Sequence, residues 1–84
     1  MVRHEIVDVC QPIDIVIEER KALEKRGFVL VDQHGGGDLG SSLVYADYKN
    51  ATEEERKEIM RRHENHKARC ALIASAMAHI LSAS

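Results

Sequence analysis

Phe28-Val29-Leu30-Val31-Asp32-Gln33, then His34-Gly35-Gly36-Gly37-Asp38-Leu39-Gly40-Ser41-Ser42, then Leu43-Val44-Tyr45-Ala46-Asp47-Tyr48 is the stretch that decides how this chain folds. Two β-branched and aromatic segments flank a run that holds four of the chain's five glycines. Such segments favour extended backbone, and clustered glycines supply the unusual φ values of a turn. The reading is an antiparallel hairpin, with strands over 28–33 and 42–48 and the glycine run at its tip. Strand alternation then puts Leu43, Tyr45 and Asp47 on one face, and Val44, Ala46 and Tyr48 on the other.

Upstream of the hairpin, Gly27 follows the basic pair Lys25-Arg26, the pattern of a helix C-cap. It closes a helix over 13–26, opened by Pro12, whose missing N–H costs nothing in a first turn. Ile13, Val16, Ile17 and Leu23 form its apolar stripe, opposite Glu18, Glu19, Lys21 and Lys25. Before it, residues 2–9 carry a short, valine- and isoleucine-rich strand pattern. Downstream, Thr52-Glu53-Glu54-Glu55 is a capping box, in which the threonine and the glutamate three residues on satisfy each other's backbone amides. From Glu53 nothing breaks a helix until about Ser82. The expected fold is therefore α+β: a small antiparallel sheet in the order β-α-β-β-α, packed against a long C-terminal helix. All 84 residues form one domain.

A helix of about 30 residues spans roughly 45 Å, more than a compact domain of this length is wide. It must project from the body, break, or lie along a partner. At 4-3 spacing it carries Ile59, His63, His66, Cys70, Ile73, Met77 and Ile80 on one line, a heptad-like seam. Ala71, Ala74 and Ala78 flank that line and permit close backbone approach. From Cys70 to Leu81 there are twelve residues without a Lys, Arg, Asp or Glu, so cover from more than one direction is expected. A homo-oligomer built on Ile59–Ile80 follows, since a domain this small has a thin core and gains from association.

His63, His66 and Cys70 also have the chemistry of metal ligands, and zinc suits imidazole with thiolate. One helix stripe seldom closes a tetrahedral cage, so a further ligand must come from elsewhere, and no cofactor is the leading expectation. His63-Glu64-Asn65-His66 spaces its histidines three apart, not the four that H-E-x-x-H metalloprotease chemistry needs.

Gly35, Gly37 and Gly40 spell G-x-G-x-x-G. With His34, Gly36, Ser41 and Ser42 they form a candidate cradle for a phosphate-bearing small molecule such as a nucleotide. The dinucleotide fingerprint requires a helix after the loop. Here a strand follows, and Asp38 adds a negative charge. The strand–loop–strand order resembles the flap of protein kinases over the loop alone. The chain is too short for a kinase and lacks its catalytic-loop and metal-binding motifs, so no family follows. A hairpin tip that binds nothing is the favoured reading.

The 12 basic and 14 acidic residues give a net charge of −2, with neither half strongly basic, which argues against nucleic acid as the partner. The apolar run 70–81 is too short for a membrane span. Two cysteines, with no secretory pattern ahead of them, point to a reduced, cytoplasmic protein. Cys10 and Cys70 are expected to pack as small hydrophobes. No nucleophile, base and orienter stand together on rigid elements, so the protein is read as non-enzymatic. The expectation is a binding or regulatory module acting through protein contacts, inhibiting or sequestering its target as a homo-oligomer. Nucleotide binding by residues 35–42 is one alternative. A small metalloprotein or hydrolase using His63, His66 and Cys70 is the other.

Overall fold

The computed structural model describes residues 1–35 and 41–83, with the side chains of the last helix described through Leu72. Its elements are β1 (His4–Asp8), α1 (Ile13–Lys25), β2 (Phe28–Gly35), β3 (Ser41–Asp47) and α2 (Glu53–Ala83). The order is the β-α-β-β-α expected from the sequence, an α+β fold with a small antiparallel sheet and a long C-terminal helix. The sheet order is β1-β3-β2. β3 sits in the middle, antiparallel to β1 with Ile6 opposite Val44, and antiparallel to β2 with Leu30 opposite Tyr45. The α1 crossover therefore joins two outer strands that run the same way, and the hairpin return fills the gap between them.

The alternation of β3 divides the core. Leu43 and Tyr45 pack with Val7 and Phe28 of the outer strands and with Val16 and Leu23 of α1. Val44 and Ala46, on the other face, pack with Val31 and with Ile59 of α2. The helices therefore cover opposite faces, and the sheet is the middle of three layers. Tyr45 is 1% exposed. Its phenolic oxygen accepts a 2.9 Å hydrogen bond from Arg20 Nε of α1, which satisfies a polar group in the core.

The α1 stripe is narrower than its sequence suggests. Val16 and Leu23 are buried, but Ile13 is 72% exposed and Ile17 is exposed too. A three-stranded sheet is about 10 Å across, about one helix diameter, so it receives a single ridge. Residues roughly 60–100° round the helix from Val16 stay in solvent. The expected burial of Cys10 and Cys70 is also corrected: both are exposed, free thiols.

Local chemistry sets the boundaries. Gly27 has φ of 88° and receives the end of α1, with its N–H on Glu24 O at 3.1 Å. β2 carries an irregularity between Leu30 and Asp32, where Val31 stands as an extra residue against β3. The capping box forms in full: Thr52 N donates to Glu55 Oε1 at 2.9 Å, and Glu55 N to Thr52 Oγ1 at 3.2 Å. The bond from the Thr52 amide, then the N-terminal ammonium 3.1 Å away, holds the Glu55 carboxyl below its usual range. That stabilisation is present at neutral pH and fades as the pH falls through the lowered value. Replacing Thr52 by Ala is expected to cost about 1 kcal/mol, read as a lower urea midpoint at unchanged slope. An unchanged midpoint would show that the box contributes nothing.

The helix neither breaks nor stops at the sheet. It runs 31 residues, and the molecule measures 48 × 29 × 21 Å with a radius of gyration of 14.8 Å. A compact chain of this length would have a radius of about 12 Å. No helix among the described residues is long and apolar enough to cross a membrane.

Candidate functional site

α2 lies along β2, and the line Ile59–His63–His66–Cys70 turns toward that strand. Ile59 is completely buried under the sheet. One turn on, His63 Nδ1 lies 2.7 Å from Leu30 O. A carbonyl only accepts, so Nδ1 carries the proton and donates. The register explains why that carbonyl needs a partner. Asp47 N donates to Arg3 O at 2.9 Å, so this residue of β3, and by alternation Tyr45, face β1. Their opposites, Phe28 and Leu30, then point their backbone groups away from β3, to the open edge of the sheet. His63 closes one of those groups and blunts the edge. Beside it, Arg20, Glu24, Phe28, Leu30, Met60 and His63 help line a cleft of about 360 Å³ between the two helices.

Another turn along, His66 is buried to 9% exposure. Its Nε2 lies 3.5 Å from Cys70 Sγ. The pair sits at the far end of β2, where Gln33, Gly35, His66, Arg69 and Cys70 line a cavity of about 220 Å³. Of the three metal candidates, the fold thus brings His66 and Cys70 together and commits His63 to the strand edge. Among the described residues, no group of three or more His, Cys, Asp or Glu is arranged to hold a metal ion.

The glycine-run candidates fall in different places. His34 and Gly35 are the last residues of β2, and Ser41 and Ser42 the first of β3, paired as His34–Ser42 and Gly35–Ser41. Gly35 has φ of 96°, a conformation glycine adopts without strain. The His34 ring lies 3.6 Å from the Asp32 carboxylate at the surface. Gly36, Gly37 and Gly40 lie outside the described residues, as do the side chains of the seam residues Ile73, Met77 and Ile80. A strand follows the glycine run, so the helix N-terminus of a dinucleotide site is not next in the chain.

Two members of the cavity escaped the sequence reading. Gln33 reaches it only through the β2–α2 packing, which no local pattern announces. Arg69 was within reach: it stands three residues after His66, on the same side of a helix. Across the sheet, Arg62 Nη1 lies 2.9 Å from His4 Nε2. A guanidinium only donates, so the imidazole nitrogen accepts. On the same helix Glu58 forms its ion pair with Arg61.

Comparison with known proteins returns no match among family models, characterised proteins or solved structures.

Proposed function

We propose that this protein is a non-enzymatic binding module that self-associates through the end of α2 and acts on a protein target by contact. The observation that carries the reading is the course of that helix. Beside Gly35, the last described residue of β2, its residues His66, Arg69 and Cys70 line a cavity, and it continues from Cys70 to Ala83. The twelve residues Cys70–Leu81 contain no Lys, Arg, Asp or Glu. Leu72, the last described side chain of that stretch, is 72% exposed in the single chain.

A second copy is the occupant we favour. Ile73, Met77 and Ile80 continue the 4-3 line beyond the part occupied by β2, and that spacing is the one by which helices interlock. An antiparallel two-fold pairing would overlay the uncharged ends and hold the charged first halves of the helices apart. Exposed, unpaired Cys10 and Cys70 suit a reducing compartment such as the cytoplasm.

Light scattering on the purified chain tests the assembly. The expected mass is that of a dimer or larger species, and Ile73→Glu with Met77→Glu is expected to return it to one chain without loss of helical signal. Ile13→Glu, on an exposed α1 position, serves as the control and leaves the mass unchanged. A single-chain mass for the parent protein at every concentration would sink the proposal.

A further inference from the structure

We propose that Cys70 is a modification site, at which its thiol, served by the His66 imidazole, exchanges with a small anionic disulfide drawn in by Arg69. Cys70 begins the stretch assigned to self-association, but the readout here is the chemistry of one sulfur and not a mass in solution, so the two proposals fail separately.

The geometry has a base behind the sulfur and open access in front. His66 and Cys70 lie one helical turn apart, and helical side chains lean toward the N-terminus, so the thiol reaches back to the ring. The imidazole is 9% exposed, and its recorded hydrogen bond among the described residues is the one to Cys70 Sγ at 3.5 Å. Burying a ring nitrogen costs free energy unless it is bonded, and here the partner is a group that can give up a proton. Cys70 itself is exposed, so a reagent reaches the sulfur. The thiolate is the reactive form of cysteine, and an adjacent imidazole that accepts the proton is the usual way to supply it.

The cavity indicates the co-reactant. Its lining among the described residues is Gln33, Gly35, His66, Arg69 and Cys70, with no carboxylate among those five. A guanidinium beside the nucleophile favours a carboxylate-bearing molecule. About 220 Å³ is less than a whole small-molecule pocket, so the cavity seats one end of such a molecule and leaves the rest in solvent. In the step itself, the Cys70 proton passes to His66 Nε2. The sulfur attacks one sulfur of the disulfide, a Cys70 S–S bond forms and the original S–S bond breaks. The departing thiolate then takes the proton from His66. Cys70 is oxidised to a mixed disulfide, and the released half is reduced to a thiol.

Cys10 provides an internal comparison. It is also exposed, but its neighbour is the Asp8 carboxylate, which accepts a 2.9 Å bond from the Cys10 backbone N–H. The full chain is reacted under reducing-agent-free conditions with dithiobis(nitrobenzoate), a dianionic disulfide, and with dithiodipyridine, a neutral one. Cys10→Ser and Cys70→Ser variants each leave one thiol to report. Cys70 is expected to react with the dianionic reagent at least about tenfold faster than Cys10. His66→Gln is expected to bring it down to the Cys10 rate. Arg69→Gln is expected to slow the dianionic reagent and leave the neutral one unchanged, a split that a merely structural arginine would not produce. Mass spectrometry after exposure to glutathione disulfide is expected to find the adduct on Cys70. Equal rates for the two cysteines, or no loss of rate in His66→Gln, would overturn the proposal. Equal slowing of both reagents by Arg69→Gln would overturn its anionic half. Should His66→Gln lose its helical spectrum, the ratio of the two thiols in the parent sequence decides.

Discussion

Ile59→Ala is expected to remove about 3 kcal/mol of stability, within the 2–5 kcal/mol that truncating a buried isoleucine costs. Ile59 is fully buried, and it is the α2 member of the buried cluster formed with Val31, Val44 and Ala46. Ala46 opposite it is small, which lets the helix come close and leaves little to fill a hole. The neighbouring cover comes from Val2, Val29, Tyr48 and Ala51, which are only partly buried, so collapse around the gap is limited. A domain of this length has a total stability of about 4–13 kcal/mol. The loss would therefore lower the melting temperature by roughly 10–25 °C. Glu64→Ala, at an exposed position of the same helix, is the control and is expected to stay within about 0.5 kcal/mol. Thermal melts followed by circular dichroism decide it, and a loss below about 1 kcal/mol would show that α2 is not anchored at Ile59.

Gly27→Ala is expected to cost about 2–4 kcal/mol, from two sources that add at one atom. The residue has φ of 88°, and a side chain there costs about 1–2 kcal/mol by itself. The new Cβ would also run into Lys49 Cβ. Neither partner can step aside cheaply. Gly27 O accepts from both Tyr48 N and Lys49 N at 3.2 Å. Lys49 O in turn accepts from Arg56 Nη2 at 2.7 Å, while Arg56 Nε holds Tyr48 O at 3.0 Å. The end of α1, the end of β3 and the first turn of α2 thus meet at this glycine. Gly27→Asn separates the two causes, because asparagine tolerates this backbone but keeps the Cβ. It is expected to recover part of the loss and no more. Urea unfolding of both variants measures this, and a Gly27→Ala midpoint equal to the parent's would refute the close approach.

These two positions were legible in the sequence to different degrees. Gly27 after Lys25-Arg26 announces a helix end, because left-handed backbone and a basic last turn are local matters. Its contact with Lys49 is not local, and nothing near residue 27 foretells it. Ile59 falls on a heptad-like line with His63, His66 and Cys70, but the line carries no label for what covers it. The same spacing serves a helix that meets a second copy and a helix that meets its own strand. In the described part of the line, β2 takes that place. The α1 stripe shows the converse: Ile13 and Ile17 fit the period but exceed the width of the sheet available to them.

The candidate site was legible as ingredients. A histidine and a cysteine four apart on a helix can always meet, whatever surrounds them. Whether the ring is buried and which strand closes the cavity depend on residues more than 30 positions away.

The sequence by itself determined the five elements, their order and, to within about two residues, their ends. Turn glycines, a capping box and the periods of two and 3.6 act over a few residues, where chain connectivity already brings the groups together. Only the tertiary structure decided that β3 lies between β1 and β2, that the helices take opposite faces, and that His63 closes a strand edge while His66 backs a thiol. Those choices rest on contacts between distant segments, where many partners satisfy the same local pattern and packing on one particular surface selects among them.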